Sequence, residues 1–283
     1  MEPNIIEKLI KNALEEDLPW GDATSDSLIP KDVMIKMRIV CDEEGIISGL
    51  PVAKKVFRIL DPDVRWTSEF QDGDRVLPGN ELAIIEGQAQ QLLKGERVAL
   101  NFLQRMSGVA TLTYRYLQAA QDTSDTIRVV DTRRTTPGMR YLEKYAVRVG
   151  GGYNHRYSLS DSVLIKNTHR NILVSEGVSM KKAVAMARGS VSHTLQVEIE
   201  IDSIDQIEEA VNANVDVIRL DGVSPQQLRT AVGMVNGRVR LEVSGDINLS
   251  NIADYAETGV DYISVSRLTH SAKALEIHPD YID

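Results

Sequence analysis

Six places in the second half of the chain end an apolar run with a charged or hydroxyl residue. They are Asp131-Thr132-Arg133-Arg134, Lys166-Asn167, Glu200, Asp221, Ser244-Gly245-Asp246 and Ser266-Arg267. Their types sort by chemistry. The early ones supply cations, and an Arg can grip a carboxylate or phosphate with two parallel N–H donors. Glu200 and Asp221 supply carboxylates, which together with phosphate oxygens suit Mg²⁺. "VSGD" and "SVSR" supply small polar residues whose backbone N–H groups suit a terminal phosphate. The set fits a phosphorylated, metal-bound substrate meeting a second one that carries carboxylates. Polar residues end many strands simply because strands end at the surface, so no single position decides the matter. Two are harder to explain that way: Lys166 directly follows an apolar run and Glu200 sits within one, where a charge is costly unless paired or wet. Glu198, Glu200 and Asp202 alternate, so one strand face carries all three and at least one can serve as an ion-pair partner.

A second concentration of chemistry lies in "VGGGYNHR", Val149 to Arg156, where three glycines adjoin Asn, His and Arg. A phosphate cradle, a metal site and a tight turn all fit that stretch taken alone. It closes a basic cluster made of Arg128, Arg133, Arg134, Arg140, Lys144, Arg148, His155 and Arg156. The cluster stands out because the chain has a net charge of −9, which argues against nonspecific nucleic-acid binding.

The elements that must position these residues follow from periodicity. Ile5, Ile6, Leu9, Ile10 and Leu14 recur at helical spacing, with Pro19 and Gly21 beyond. Residues from about 33 to 86 read as short strands broken by "DPD", "DGD" and "PGN". A helical pattern returns from about Gln88 to Ala120, completing a small α+β domain. After about 125, apolar strands alternate with helical stretches: "TIRVVDT", "SVLIKNT", "LQVEIEI", "VDVIRLD", "VRLEVSG" and "VDYISVS". That rhythm predicts a parallel sheet with both faces covered, either an incomplete barrel or an open doubly wound sheet. In a barrel the six polar ends would meet at one face. No apolar run reaches about 18 residues, so no membrane span is expected. The N-terminus lacks a signal-peptide core, and with Cys41 as the only cysteine a cytoplasmic protein without disulfides is expected.

The block "DTRRTTPGMRYLEKYAVRVGGGYNHR", residues 131–156, resembles the quinolinate phosphoribosyltransferases, the carboxylating nicotinate-nucleotide pyrophosphorylases. So do "ALEEDLPWGDATS", "GERVALNFLQRMSGVATLT", "LIKNTH", "VEIEID", "LDGVSP" and "YAETGVDYISVSRLTHSAKALEIH". The resemblance covers almost the whole chain. It implies an N-terminal α/β sandwich domain (1–122), with the tail from about 271 to 283 packed back on it. An incomplete, open parallel α/β barrel (123–270) then carries catalysis. It implies transfer of phosphoribose from phosphoribosyl pyrophosphate to quinolinate with decarboxylation, giving nicotinate mononucleotide, pyrophosphate and CO₂ in NAD biosynthesis. It implies Mg²⁺ and no organic cofactor. It also implies a homodimer or larger homo-oligomer in which Arg97 is supplied by the neighbouring subunit. By the same resemblance Arg133, Arg134, His155, Arg156 and Lys166 match the basic site for the quinolinate carboxylates. Glu200 and Asp221 match the acidic pair near ribose and Mg²⁺-pyrophosphate, Lys166, Glu200 and Asp221 being the catalytic set. Ser244-Gly245-Asp246 and Val265-Ser266-Arg267 match the two loops that hold the 5′-phosphate. The match favours Glu200 over Glu198 as the residue that reaches the ligand.

The chain departs from the family's usual pattern at the site itself. "LIKDNH" becomes Leu164 to His169 with Asn167 and Thr168, "LDN" becomes Leu220-Asp221-Gly222, "SGG" or "SGN" becomes Ser244-Gly245-Asp246, and "VGA" becomes Val265-Ser266-Arg267. Asp246 puts a negative charge beside a phosphate, so Arg267 is expected to pair with it. A paralogue acting on another aromatic acid and a non-catalytic anion-binding protein are the alternatives. Retention of Arg133, Lys166, Glu200 and Asp221 argues against the latter. His193 and His270 are expected outside the site, and Trp20 in a local core rather than at a subunit interface. The glycines of "VGGGYNHR" are expected to let the backbone turn and pass close to the ligand.

Overall fold

Ile6, Ile10 and Leu14 form the buried stripe of the first helix, Pro3–Asp17, as their three-to-four-residue spacing requires. A computed structural model describes residues 1–121, 123 and 126–282. Asp22 caps the next helix, Ala23–Leu28, by accepting from the Thr24 and Ser25 amides, which satisfies donors that have no partner in the first turn. The strands of the first half are β1 (Met34–Cys41), β2 (Gly45–Ile46), β3 (Arg65–Thr67), β4 (Arg75–Val76) and β5 (Glu81–Gln88). Those of the second half are β6 (Arg128–Val130), β7 (Val163–Ile165), β8 (Val197–Ile201), β9 (Val217–Asp221), β10 (Arg240–Ser244), β11 (Tyr262–Ser264) and β12 (Ile277–Ile282).

The chain forms two compact units. The first holds Met1–Tyr114, Thr136–Gly151 and Ser271–Asp283, and the second holds Arg115–Thr135 and Gly152–His270. Residues 136–151, placed after the sequence boundary at 122, group with the first unit. That unit contains an antiparallel sheet in the order β12-β1-β5-β3. The C-terminal strand β12 pairs along β1, from Cys41 opposite Ile277 to Lys36 opposite Ile282, and Arg38 ties the two strands through Asp280 at 2.6 Å. Helix Leu50–Leu60 buries Val52, Ala53, Val56 and Phe57, each large apolar side chain contributing about 1.5–3 kcal/mol. The 33-residue helix Ala89–Gln121 is approached so closely that a Cβ on Gly108 would lie 2.0 Å from the Lys273 carbonyl oxygen.

The second unit is a mixed α/β structure around a parallel sheet in the order β6-β11-β10-β9-β8-β7. β6 and β7 are its two edges, so the barrel is open between them. The register explains what each face does. Ile201, Leu220, Val243, Ile263 and Val129 align on the outer face and are completely buried. On the inner face Glu200, Arg219, Glu242, Tyr262 and Arg128 align across five strands. Opposite charges alternate along the first three positions of that row, so neighbouring strands neutralise one another. The strands are thus apolar toward the helices and polar toward the lumen. Tyr153 adds to the β6 edge: its amide donates to Val129 and its carbonyl accepts from Asp131. Among the described residues, no helix is long and apolar enough to cross a membrane.

Candidate active site

The C-terminal ends of β6, β7, β9, β10 and β11 gather around a cavity of about 550 Å³ lined entirely from the second unit. Of the residues expected at the site, Arg133, Arg134, His155, Arg156 and Lys166 line it. So do Asp221, Ser244, Gly245, Asp246, Ser266 and Arg267. Three expected residues do not. Val265 is 1% exposed and serves as core. Glu200 is set back, accepting from the Asn167 amide at 3.3 Å and facing Arg219 at 3.9 Å. Arg97 belongs to the first unit, on helix Ala89–Gln121, with its side chain 60% exposed beside Glu96.

"VGGGYNHR" delivers two of the lining cations by strand pairing. Once Tyr153 is fixed on the β6 edge, the His155 amide donates to the fully buried Asp131 at 2.8 Å. The Arg156 guanidinium donates to the Ser162 carbonyl at 3.1 Å. The close approach at the glycines is to protein: a Cβ on Gly150 would lie 2.3 Å from the Ala110 carbonyl oxygen. Only Gly151, with φ +87°, needs the left-handed region there. The rest of the basic cluster is divided among other duties. Lys144 is 2% exposed and is core of the first unit. The Arg128 guanidinium lies 5.2 and 5.9 Å from the Tyr153 and Tyr262 rings.

The site's polar groups are held in chains. Arg219 Nε donates to Ser244 Oγ at 2.8 Å, and Ser244 Oγ donates to Asp221 Oδ1 at 2.5 Å. Asn167 accepts from Arg170 at 3.0 Å and donates to Asp202 at 3.4 Å, so its neutral amide bridges a cation and an acid. Arg134 donates to Ser266 Oγ at 3.4 Å, and Ser266 Oγ lies 3.1 Å from His270 Nε2. His270 therefore lines the cavity, contrary to the expectation from sequence; the helix Arg267–His270 turns it back beside the β11 loop. Arg267 Nη2 lies 2.8 Å from Asp246 Oδ1, the pair expected from the like-charge argument. Arg133 Nε is buried with no hydrogen-bond partner among the described residues, an arrangement that costs free energy unless a ligand accepts from it.

Below the cavity lies a buried cluster. His155 Nε2 is 3.0 Å from Glu198 and 3.6 Å from Glu242, and these are the atoms among the described residues that lie close enough to share a metal ion. However, His155 Nδ1 accepts from the Arg156 amide at 2.7 Å. In the neutral ring that puts the proton on Nε2, leaving no lone pair for a metal on that side. Burial pushes the Glu242 carboxyl up to about 7, and the Glu198 charge adds to the effect. Burial also pushes His155 down, but Glu198 and Glu242 outweigh it and its pKa is raised. A second cavity of about 380 Å³ reaches this cluster and shares His155 and Arg156 with the first.

Arg219, Glu242 and His270 escaped the sequence reading. A signal for the first existed: Arg219 interrupts the apolar run "VIRLD" two residues before Asp221, on the same strand face. Glu242 stands in "RLEVS" two residues before Ser244 in the same way. Trp20 is also corrected, being 97% exposed rather than core.

The fold and the site define an open α/β-barrel protein whose strand ends are arranged for a multiply charged anion. The models of the quinolinate phosphoribosyl transferase N-terminal and C-terminal domains match residues 22–107 and 109–280. The chain is 39% identical over 275 residues to a protein of Bacillus subtilis (strain 168) named probable nicotinate-nucleotide pyrophosphorylase [carboxylating], covering 97% of this chain and 93% of that one. It is also 39% identical to the nicotinate-nucleotide pyrophosphorylase [carboxylating] of Mycobacterium leprae (strain TN), covering 96% and 95%. The crystal structure of NadC from Streptococcus pyogenes superposes with a TM-score of 0.93 at 40% identity, covering 100% and 99%. The chain belongs to the quinolinate phosphoribosyltransferase family.

Proposed function

We propose that this chain is a carboxylating nicotinate-nucleotide pyrophosphorylase, a pentosyltransferase of NAD biosynthesis. It transfers phosphoribose from phosphoribosyl pyrophosphate to quinolinate and releases pyrophosphate and CO₂. Beside family membership, one observation carries this reading. Arg133, Arg156, Lys166 and His155 converge in one cavity, and the buried Arg133 Nε awaits an acceptor. Two adjacent carboxylates on a rigid ring need several cations held in fixed geometry, and fixing them is itself catalytic. The pyridine nitrogen lone pair forms the new bond to C1′ as the C1′–O bond breaks and its electrons leave with pyrophosphate. Developing positive charge on the ribose is stabilised by carboxylates at the strand ends. The C2–CO₂ bond then breaks and leaves its electron pair on C2, as an ylide stabilised by the adjacent cationic ring nitrogen. CO₂ leaves, and C2 takes up one proton.

The donor set suits Mg²⁺. Glu200 and Asp221 offer hard oxygens from the same face of adjacent strands, and no cluster of three ligand atoms among the described residues includes either. Mg²⁺ held by one or two carboxylates would take its other ligands from water and phosphate oxygens. Bound there, it would neutralise charge on the pyrophosphate. Ser244 to Asp246 and Ser266 to Arg267 hold the 5′-phosphate, and Arg134 reaches the same loop through Ser266. The assembly is a homodimer or larger, with Arg97 completing a neighbour's site; its exposed guanidinium supports this. The protein works in the cytoplasm. Incubation with quinolinate, phosphoribosyl pyrophosphate and Mg²⁺ should yield nicotinate mononucleotide and CO₂ in equal amounts. Binding of both substrates without product would instead favour a non-catalytic anion-binding protein, and turnover of another aromatic acid in place of quinolinate would favour a paralogue.

A further inference from the structure

Asp246 and Arg267 belong to the two loops assigned to the 5′-phosphate, and their ion pair joins those loops across the cavity rim. The two side chains are 81% and 43% exposed. An exposed pair of this kind is weak and easily exchanged. Asp246 holds the guanidinium Arg267 would offer to a phosphate, and a carboxylate meets that guanidinium as a phosphate does. The backbone beneath is fixed. Gly245 sits at φ +144°, where a Cβ would lie 3.3 Å from Gly222, and the Gly222 amide donates to the Ser244 carbonyl at 2.9 Å. The Asp246 carbonyl accepts from Asn251 Nδ2 at 3.1 Å. The adaptable parts of this rim are therefore the two charged side chains.

We propose that Asp246 is an internal competitor for the ligand's phosphate: it occupies Arg267 in the free protein, yields it on binding, and so sets how tightly a phosphorylated ligand is held. The inference rests on the reading that these loops bind the 5′-phosphate. When a phosphate dianion takes Arg267, the displaced carboxylate stays nearby as a like charge. Asp246 thereby opposes binding twice, and it favours release of a phosphorylated product. Asp246 is a positioning residue that acts through Arg267.

The test is calorimetric titration with ribose 5-phosphate, which carries the phosphate without pyrophosphate, in the absence of Mg²⁺. Asp246→Asn should tighten binding about tenfold or more, since one like charge a few ångströms away in water is worth about fivefold by itself and the freed Arg267 adds to it. Arg267→Gln should weaken it about tenfold or more, the scale of a lost charge-assisted hydrogen bond. In the double variant the gain from Asp246→Asn should fall below that of the single variant, because the competed cation is gone and only the like-charge repulsion remains. In steady state, Asp246→Asn should lower KM for phosphoribosyl pyrophosphate without raising kcat. Unchanged or weaker binding in Asp246→Asn overturns the proposal. A full gain that persists in the double variant overturns it too, since Asp246 would then act without Arg267. If the unmodified protein bound ribose 5-phosphate with no competition from phosphoribosyl pyrophosphate, the phosphate assignment of these loops would itself fall and take the proposal with it. Both positions are solvent-facing, and unchanged melting temperatures would confirm that each variant is folded.

Discussion

At the scale of single residues, charge placement separates work from structure. Lys166 is exposed at the end of β7 and lines the cavity, so nothing in the fold depends on its ammonium. Lys166→Ala is expected to lower kcat by at least about a hundredfold, as loss of a preorganised charge does, with an unchanged melting temperature; near-normal turnover would remove Lys166 from the site. Glu242 is the opposite case. It is 4% exposed and titrates near 7 against an ordinary value of 4.5. His155 and Arg219 on β9 face it, and the Glu198 charge on β8 acts on it. A raised folded-state pKa means the folded protein binds the proton more tightly than the unfolded chain. That stabilisation is complete below about 4.5 and is lost as pH rises through about 7. Urea denaturation across that window should show stability falling with pH, and Glu242→Gln, which stays neutral, should flatten the fall.

At the scale of elements, close backbone approach decides where side chains go. Helix Arg140–Val149 lies against helix Ala89–Gln121 in the first unit, and Gly150 follows with no room for a Cβ beside Ala110. Gly150→Ala is expected to destabilise that unit by about 1–3 kcal/mol, the usual cost of overpacking, read as a lower denaturation midpoint. The buried Glu143 secures the same element: it accepts from Arg105 at 2.6 Å and from the Thr136 amide at 3.0 Å. Glu143 and Lys144 of this helix are buried in the first unit, which is why the basic cluster seen in sequence splits between scaffold and site.

At the scale of the whole molecule, the cavity is lined from one unit, while Arg97 sits exposed on the other. If a neighbouring subunit supplies Arg97, two inactive variants should repair each other. Arg97→Ala and Lys166→Ala mixed under subunit exchange should recover up to about a quarter of normal activity, because half of the random dimers then hold one complete site. Activity that stays at the level of the separate variants would place Arg97 outside any shared site.

The sequence by itself determined the element order, a parallel sheet with both faces covered and most of the cavity lining. These depend on local periodicity and on which residue ends each strand, and both are written along the chain. The Asp246–Arg267 pair was legible for the same reason, since strand ends converge in a barrel and opposite charges there meet. Only the tertiary structure decided that Glu200 is set back, that His270 turns into the cavity, that Val265 is core and that Trp20 faces outward. It alone aligned Arg219 and Glu242 into a charged row, because register relates residues about twenty positions apart in sequence. It also reassigned the glycines of "VGGGYNHR". The chain shows that Gly150 lacks a side chain, but only the packing of helix Ala89–Gln121 shows what the missing Cβ would have struck.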